Sequence, residues 1–183
     1  DAVTAILGEE NTASDILWKI RMPRALAALL LGGALSLSGY LLQTFFHNPI
    51  AGPFVLGVSS GAKLIVAISM IFSAGFFGLL SSAFMIISAF VGSMISLGFV
   101  LLVSRKVRQM SMLVVCGVMI GYICSAVTDF LVTFADDSDI INLHDWSMGT
   151  FSGTSMDNVK VIFIFVLIGL VGTILISKPI GAY

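Results

Sequence analysis

Long apolar runs separated by short polar stretches dominate this chain. "RALAALLLGGALSLSGYLLQTFF" (24–46) is the first, with Pro23 at what the pattern marks as its first turn. Residues 55–104 hold a single charge, Lys63, and are too long for one membrane crossing. "SAGFFG" (73–78) divides them and predicts spans near 58–74 and 78–104. "MLVVCGVMIGYICSAVTDFLVTF" (112–134) and "VKVIFIFVLIGLVGTILIS" (159–177) complete a set of five. The runs do not alternate with a period of two, and most reach the length of a bilayer crossing, so they read as helices rather than barrel strands. Five is odd, which places the two ends of the segment on opposite sides. Residues 1–20 carry acids together with Gly8, Asn11, Thr12 and Ser14, and read as an extracytoplasmic loop rather than a signal peptide.

Composition agrees. Of 183 residues, 58% are hydrophobic and 10% charged, against about 25% charged in soluble domains. Mean hydropathy is +1.08. So few charges cannot cover a water-exposed surface, and only helices or closed barrels satisfy the backbone in lipid. The expected fold is an all-α, polytopic transmembrane bundle of about five spans, a single membrane region over 1–183. Arg105, Lys106 and Arg108 form a dense basic cluster. Counting bases near span ends gives four on each side, and the density of this cluster favours placing it in the cytoplasm. Arg21 and Arg24 then fall outside, against the usual bias. No basic stripe with interleaved aromatics occurs, which argues against nucleic acid as a partner.

Candidate chemistry is sparse. Cys116 and Cys124, eight residues apart on a helix, are separated by about 12 Å of rise, too far for a disulfide. Neither has a His or Cys at ligand spacing, so no metal site is expected. His47 and His144 fall in loops with no nucleophile beside them, and no glycine-rich phosphate loop is present. No catalytic set and no directly bound cofactor are expected; the chain does not read as an enzyme.

Three features invite a functional reading. "HNPIAGPFVLGVSSGAK" (47–63) sets Pro49, Pro53 and several glycines between two apolar runs. Either the prolines merely end one helix and begin the next, or irregular backbone lines a cavity at membrane depth. Gly117, Gly121, Ser125, Asp129 and Thr133 form a stripe of small and polar residues. Such stripes serve close helix packing, yet an intramembrane acid also marks a cavity or partner. Gly32, Ser36 and Tyr40 repeat in the first span as a packing face, with Gln43 beside them to bond a neighbouring helix. Lys63, one turn into its span, either snorkels to the cytoplasmic interface or faces a partner or substrate.

The segment "RMPRALAALLLGGALSLSGYLLQTFFHNPIAGPFVLGVSSGA" (21–62) resembles the signature of the FecCD-type permeases, membrane subunits of ABC importers for iron-siderophores, haem and cobalamin. It carries the R-x-P-R opening, a small-residue helix ending in Gln, then N-P-L-A-x-P with Ile50 for the usual Leu, and G-V-S-S-G-A. "CGVMIGYICSAV" (116–127) and "WSMGTF" (146–151) resemble two later family elements in the right order. The resemblance implies a ten-helix permease of two inverted five-helix halves. The present spans then correspond to helices 2–6. Helix 1, the ATPase-coupling helix with its L-G-E motif, and the second half are not in this segment. It further implies a cytoplasmic gate of Asn48 and Ile50 facing Met110 and Ser111. A pathway is implied along Gly121, Ser125 and Asp129, with Arg21 and Arg24 docking an extracytoplasmic solute-binding protein. The implied partners are a second permease subunit, identical or not, and two ATPase subunits that use the ATP. The implied location is the plasma (inner) membrane of a bacterium or archaeon.

Two rival classes stand beside this one. A proton-coupled secondary transporter would use Asp129 and Lys63 as relays, but such sites gather near the midplane at broken helices. From the sequence, these two residues fall nearer opposite ends of their spans. An intramembrane enzyme lacks a candidate catalytic pair.

Overall fold

The computed structural model describes residues 12–73, 82–106 and 110–180, and no strand occurs among them. The proposed break at 73–78, the loop residues 1–11 and Arg108 lie largely or wholly outside the described residues. The chain divides into two compact units, one of residues 1–41 with 150–183, the other of 42–149. Among the described residues four helices are long and apolar enough to cross a membrane: Ser14–Phe46, Ser82–Val103, Met112–Val132 and Met156–Leu175.

The first unit departs from the expected loop at its start. Helix α1 (Thr12–Ile16) runs through a π turn (Leu17–Arg21) directly into α2 (Met22–Phe46), so the backbone is helical from residue 12 onward. Pro23 is therefore inside a helical path rather than at its first turn, and it is fully buried. Proline lacks an N–H and its ring collides with the carbonyl four residues back. The π turn is the accommodation: Met22 N–H bonds the Leu17 carbonyl, and the wider turn makes room for the ring. Asp15 and Lys19, one turn apart and 2.8 Å from each other, brace its exposed side. Gly32, Gly33 and Gly39 have no atom within 4 Å of where a side chain would start. The expected packing face of α2 is thus open here.

The second unit is built around α3 (Val58–Ser73), α4 (Ser82–Ser104) and α5 (Met110–Val132). These pack through missing side chains. A Cβ on Gly61 would lie 2.6 Å from Ser96 Cβ, and one on Gly117 would lie 2.8 Å from Leu56 Cα. Hydroxyls finish the contact: buried Ser96 donates to the Gly57 carbonyl at 2.9 Å, and Ser69 and Ser88 share a hydrogen bond at 2.9 Å. One apolar cluster joins Phe46, Ala51, Leu56, Val100 and Val114 at the end near the 47–57 segment.

At 16 residues, α3 spans roughly 24 Å, less than the ~30 Å hydrocarbon core. The expected second span is a short one. Its partner was not expected at all: α6 (Asp137–Met148) is a helix where the sequence read as an acidic extracytoplasmic loop. Asp137 and Asp139 favour its positive N-terminus, and Gly149 at φ 70° ends it. Buried Leu143 and half-buried Trp146 seat it on Val66, Ala67 and Met70 of α3. Finally α7 (Met156–Ile180), which belongs to the first unit, begins three residues before the apolar run suggested. Phe165 and Leu175 on it are 70% and 73% exposed, as suits a face whose solvent is lipid.

Candidate functional site

The segment 47–57 is where regular structure gives way. His47, at φ 48°, closes α2 with two bonds, its own N–H to Thr44 O and Asn48 N–H to Gln43 O. This is the left-handed helix stop normally given to glycine. Asn48 Oδ1 then accepts the Ile50 N–H at 3.0 Å, folding the next turn on itself. Ala51 N–H bonds Asn48 O, Leu56 N–H bonds Gly52 O, and Gly57 N–H bonds Phe54 O. The backbone is therefore largely self-satisfied, while Ala51 and Leu56 are buried. Ile50, one expected gate residue, is 70% exposed. Met110 and Ser111, the expected opposing half, open α5, and their side chains lie outside the described residues.

The depth of this segment follows from its neighbours. A Cβ on Gly57, which holds φ +72°, would sit 2.9 Å from both Gly117 O and Gly121 N. Those glycines are seven and eleven residues into α5, roughly 10–16 Å from its start. The chain thus climbs alongside α5 before α3 begins, and α3 starts well inside the bundle. Irregular backbone at that depth is tolerated because protein surrounds it.

Two contiguous grooves open beside it. Gly121 and Ser125, both expected on the pathway, line one of about 210 Å³ with Phe54, Ser60 and Tyr122. A second, of about 320 Å³, shares Phe54 and Ser60 and adds Ser59, Lys63, Trp146 and Ser147. Ser60 and Ser125 hydroxyls are 3.5 Å apart, at the limit of a hydrogen bond, so both stay available to the groove. Asp129, the third expected pathway residue, is exposed and lines neither groove.

Lys63 does fall near the start of α3 and Asp129 near the end of α5, but α3 is offset along α5. Ser60 lies beside Ser125, and Lys63 and Asp129 follow them by three and four residues on helices running the same way. They stand at similar levels, and no ion pair joins them among the described residues. Snorkelling fails because of this offset. Lys63 sits beyond Gly57 by six residues, roughly 9 Å more, and four methylenes cannot reach back to the basic end.

Sequence reasoning missed Phe54, Ser60, Tyr122 and Trp146. All four fall inside quoted motifs, Trp146 opening "WSMGTF", but bringing them to one site required knowing where α3 begins and that α6 exists. Of the two expected docking arginines, Arg24 donates from Nη2 to Ser152 O at 2.9 Å, within the first unit. Arg21 is exposed and has no ion pair among the described residues.

A sequence model described as the FecCD transport family matches residues 1–183. The vitamin B12 import system permease protein BtuC of Serratia proteamaculans is 37% identical over 144 residues, covering 78% of this chain and 42% of that protein. BtuC of Yersinia enterocolitica is 36% identical with the same coverages, and that of Salmonella paratyphi A is 38% identical over 136 residues, 74% and 41%. The chain therefore spans about two fifths of the length of these relatives. A solved structure described as a metal-chelate type ABC transporter in an inward-facing conformation aligns with a TM-score of 0.78. That alignment covers 97% of this chain and 59% of the other at 24% identity, a likeness of fold. With four membrane-length helices and a family match over its whole length, this chain belongs to the FecCD transport family.

Proposed function

We propose that this chain is part of the permease subunit of a binding-protein-dependent ABC importer, carrying an iron chelate, haem or cobalamin into the cytoplasm. One observation carries the reading beyond family membership. The 47–57 segment climbs into the bundle and delivers α3 at mid-depth, opening hydroxyl-lined grooves beside α5. A channel wall needs such a feature; a purely structural bundle would fill it. At about 210 and 320 Å³ the grooves lie at the bottom of the range for a bulky ligand. Pockets for drug-sized ligands run to about 300–1,000 Å³, and chelates of this class are as large or larger. Each groove is then one wall, completed by the rest of the permease and a second permease subunit.

In this reading ATP is hydrolysed by two separate ATPase subunits, and cargo arrives on an extracytoplasmic solute-binding protein. The assembly lies in a bacterial plasma membrane. Asn48 and Ile50 with Met110 and Ser111 close the cytoplasmic mouth, and Gly121 and Ser125 border the path at the grooves, with Asp129 farther along α5 and outside them. The test is uptake by proteoliposomes containing the full-length permease, its ATPase and its binding protein. We expect uptake of a ferric chelate, haem or cyanocobalamin that requires internal ATP. Uptake driven by a proton gradient without the ATPase would instead establish the secondary-transport reading.

A further inference from the structure

Between Arg24 and Arg105 the chain has one charged side chain, Lys63. It lies ten residues before the end of α3, roughly 15 Å, and farther still from the basic end of α5. It is half-buried and level with Asp129, three residues before the end of α5, and a half-buried ammonium calls for water, a partner or a counter-ion. Lys63 has no partner among the described residues: the ion pairs there are Asp15–Lys19 and Asp157–Lys160. What it has is the larger groove, which it lines with Ser59, Ser60, Trp146 and Ser147. No carboxylate lines this groove or the adjoining one. Asp129 stands at a similar level on α5 but borders neither. The pair of grooves thus presents one positive charge, a set of hydroxyls and the aromatic faces of Phe54, Tyr122 and Trp146.

We propose that Lys63 is a specificity-determining residue and that the cargo is anionic, a chelate or macrocycle bearing catecholate or carboxylate groups. This rests on the transport reading above. An anion entering the groove supplies the counter-charge the fold omits, and the serine hydroxyls donate to the same oxygens. The aromatic faces cover the apolar remainder of a bulky ligand. Lys63 is half-buried in the groove, where a charge pair is screened less than on an open surface. A neutral cargo would leave it unpaired at every passage.

The experiment uses the full-length transporter in proteoliposomes with its ATPase and binding protein. The probes are a ferric tris-catecholate, which is triply negative, and cyanocobalamin, which carries no net charge. We expect ATP-dependent uptake of the ferric chelate that falls at least about tenfold in Lys63→Gln and is largely kept in Lys63→Arg. Basal ATP hydrolysis should stay unchanged in both. Equal ferric uptake in Lys63→Gln overturns the proposal. ATP-dependent uptake of cyanocobalamin alone also overturns it but leaves the transport reading standing, whereas uptake of neither probe, nor of haem with its two carboxylates, removes both. If Lys63→Gln does not assemble, Ser147→Cys in a cysteine-free background reads the groove directly. With Lys63 present, a sulfonate-bearing thiosulfonate reagent should react faster there than its trimethylammonium counterpart. Equal or reversed rates count against the proposal.

Discussion

Gly57 shows how single atoms hold this site open. Its φ of +72° is one that L side chains rarely adopt, and a Cβ there would press on the backbone of Gly117 and Gly121 at 2.9 Å. The obstruction is main chain on a neighbouring helix, which cannot rotate aside. Left-handed backbone alone costs an alanine about 1–2 kcal/mol, so Gly57→Ala should lose more than that in thermal melts of the purified full-length permease. Gly98→Ala is the control, since no atom lies within 4 Å of its would-be Cβ. It should melt with the wild type or slightly above it, helix propensity favouring alanine by up to ~1 kcal/mol. Asn48 works through one bond. Losing its Oδ1, as in Asn48→Ala, leaves the Ile50 N–H without its acceptor and should cost about 1 kcal/mol of stability. In transport assays the same change should raise ATP-independent leak if the turn belongs to the inner gate. Met110→Gly should do so more strongly.

Among the elements, α6 decides the shape of the larger groove. Leu143, 4% exposed, is its anchor on Val66, Ala67 and Met70. Leu143→Ala should destabilise by about 2–5 kcal/mol, whereas His144→Ala next to it, exposed, should stay within about 0.5 kcal/mol. Hydrogen exchange across 137–148 would register the difference. This helix was hidden in the sequence because its aspartates and asparagine carry the composition of a loop. Its apolar contacts, Leu143 and Trp146, are only two residues at helical spacing. The long helices were legible, since a run of about 20 apolar residues has few alternatives in lipid. The bounds of α3 were legible too, 58–74 expected against Val58–Ser73 found, but the depth at which it starts was not. Hydropathy counts apolar residues, and 50–56 supplies plenty of them; the depth at which a helix starts is set by glycine contacts such as Gly57 against Gly117. Of the two readings open for Lys63, reach to the cytoplasmic interface fails for that reason, since its helix begins well inside the bundle. Gly121 and Ser125 were readable from the stripe they share, but Phe54, Tyr122 and Trp146 reach the grooves only through the fold.

At the scale of the whole molecule, the proposed function raises the question of how an outer partner would address it. Arg21 and Arg24 straddle Pro23, where the π turn hands over to α2. Helical backbone on both sides presents them from a stiff element rather than a mobile loop. Their states differ: Arg24 is occupied by the Ser152 carbonyl at 2.9 Å, and Arg21 is exposed with no ion pair among the described residues. A guanidinium has five donors, so Arg24 can keep this bond and still grip a carboxylate, while Arg21 has its whole fork available. If both dock acids on a solute-binding protein, reversing their charge replaces attraction by repulsion. Losing one partner of a buried interfacial pair costs about 2–5 kcal/mol, whereas a rim charge mainly changes on-rate and salt dependence. Arg21→Glu with Arg24→Glu should therefore abolish binding-protein-stimulated ATP hydrolysis and leave basal hydrolysis within about twofold. Exchanging the facing acids of the binding protein for arginine should restore part of the stimulation, which a folding defect in the permease could not allow. Arg24→Ala alone separates the two duties, since it frees the chain at Ser152 as well as removing a docking charge. Arg21→Ala touches docking only. Stimulation that survives intact in the double mutant would falsify the docking role and leave both arginines as headgroup anchors.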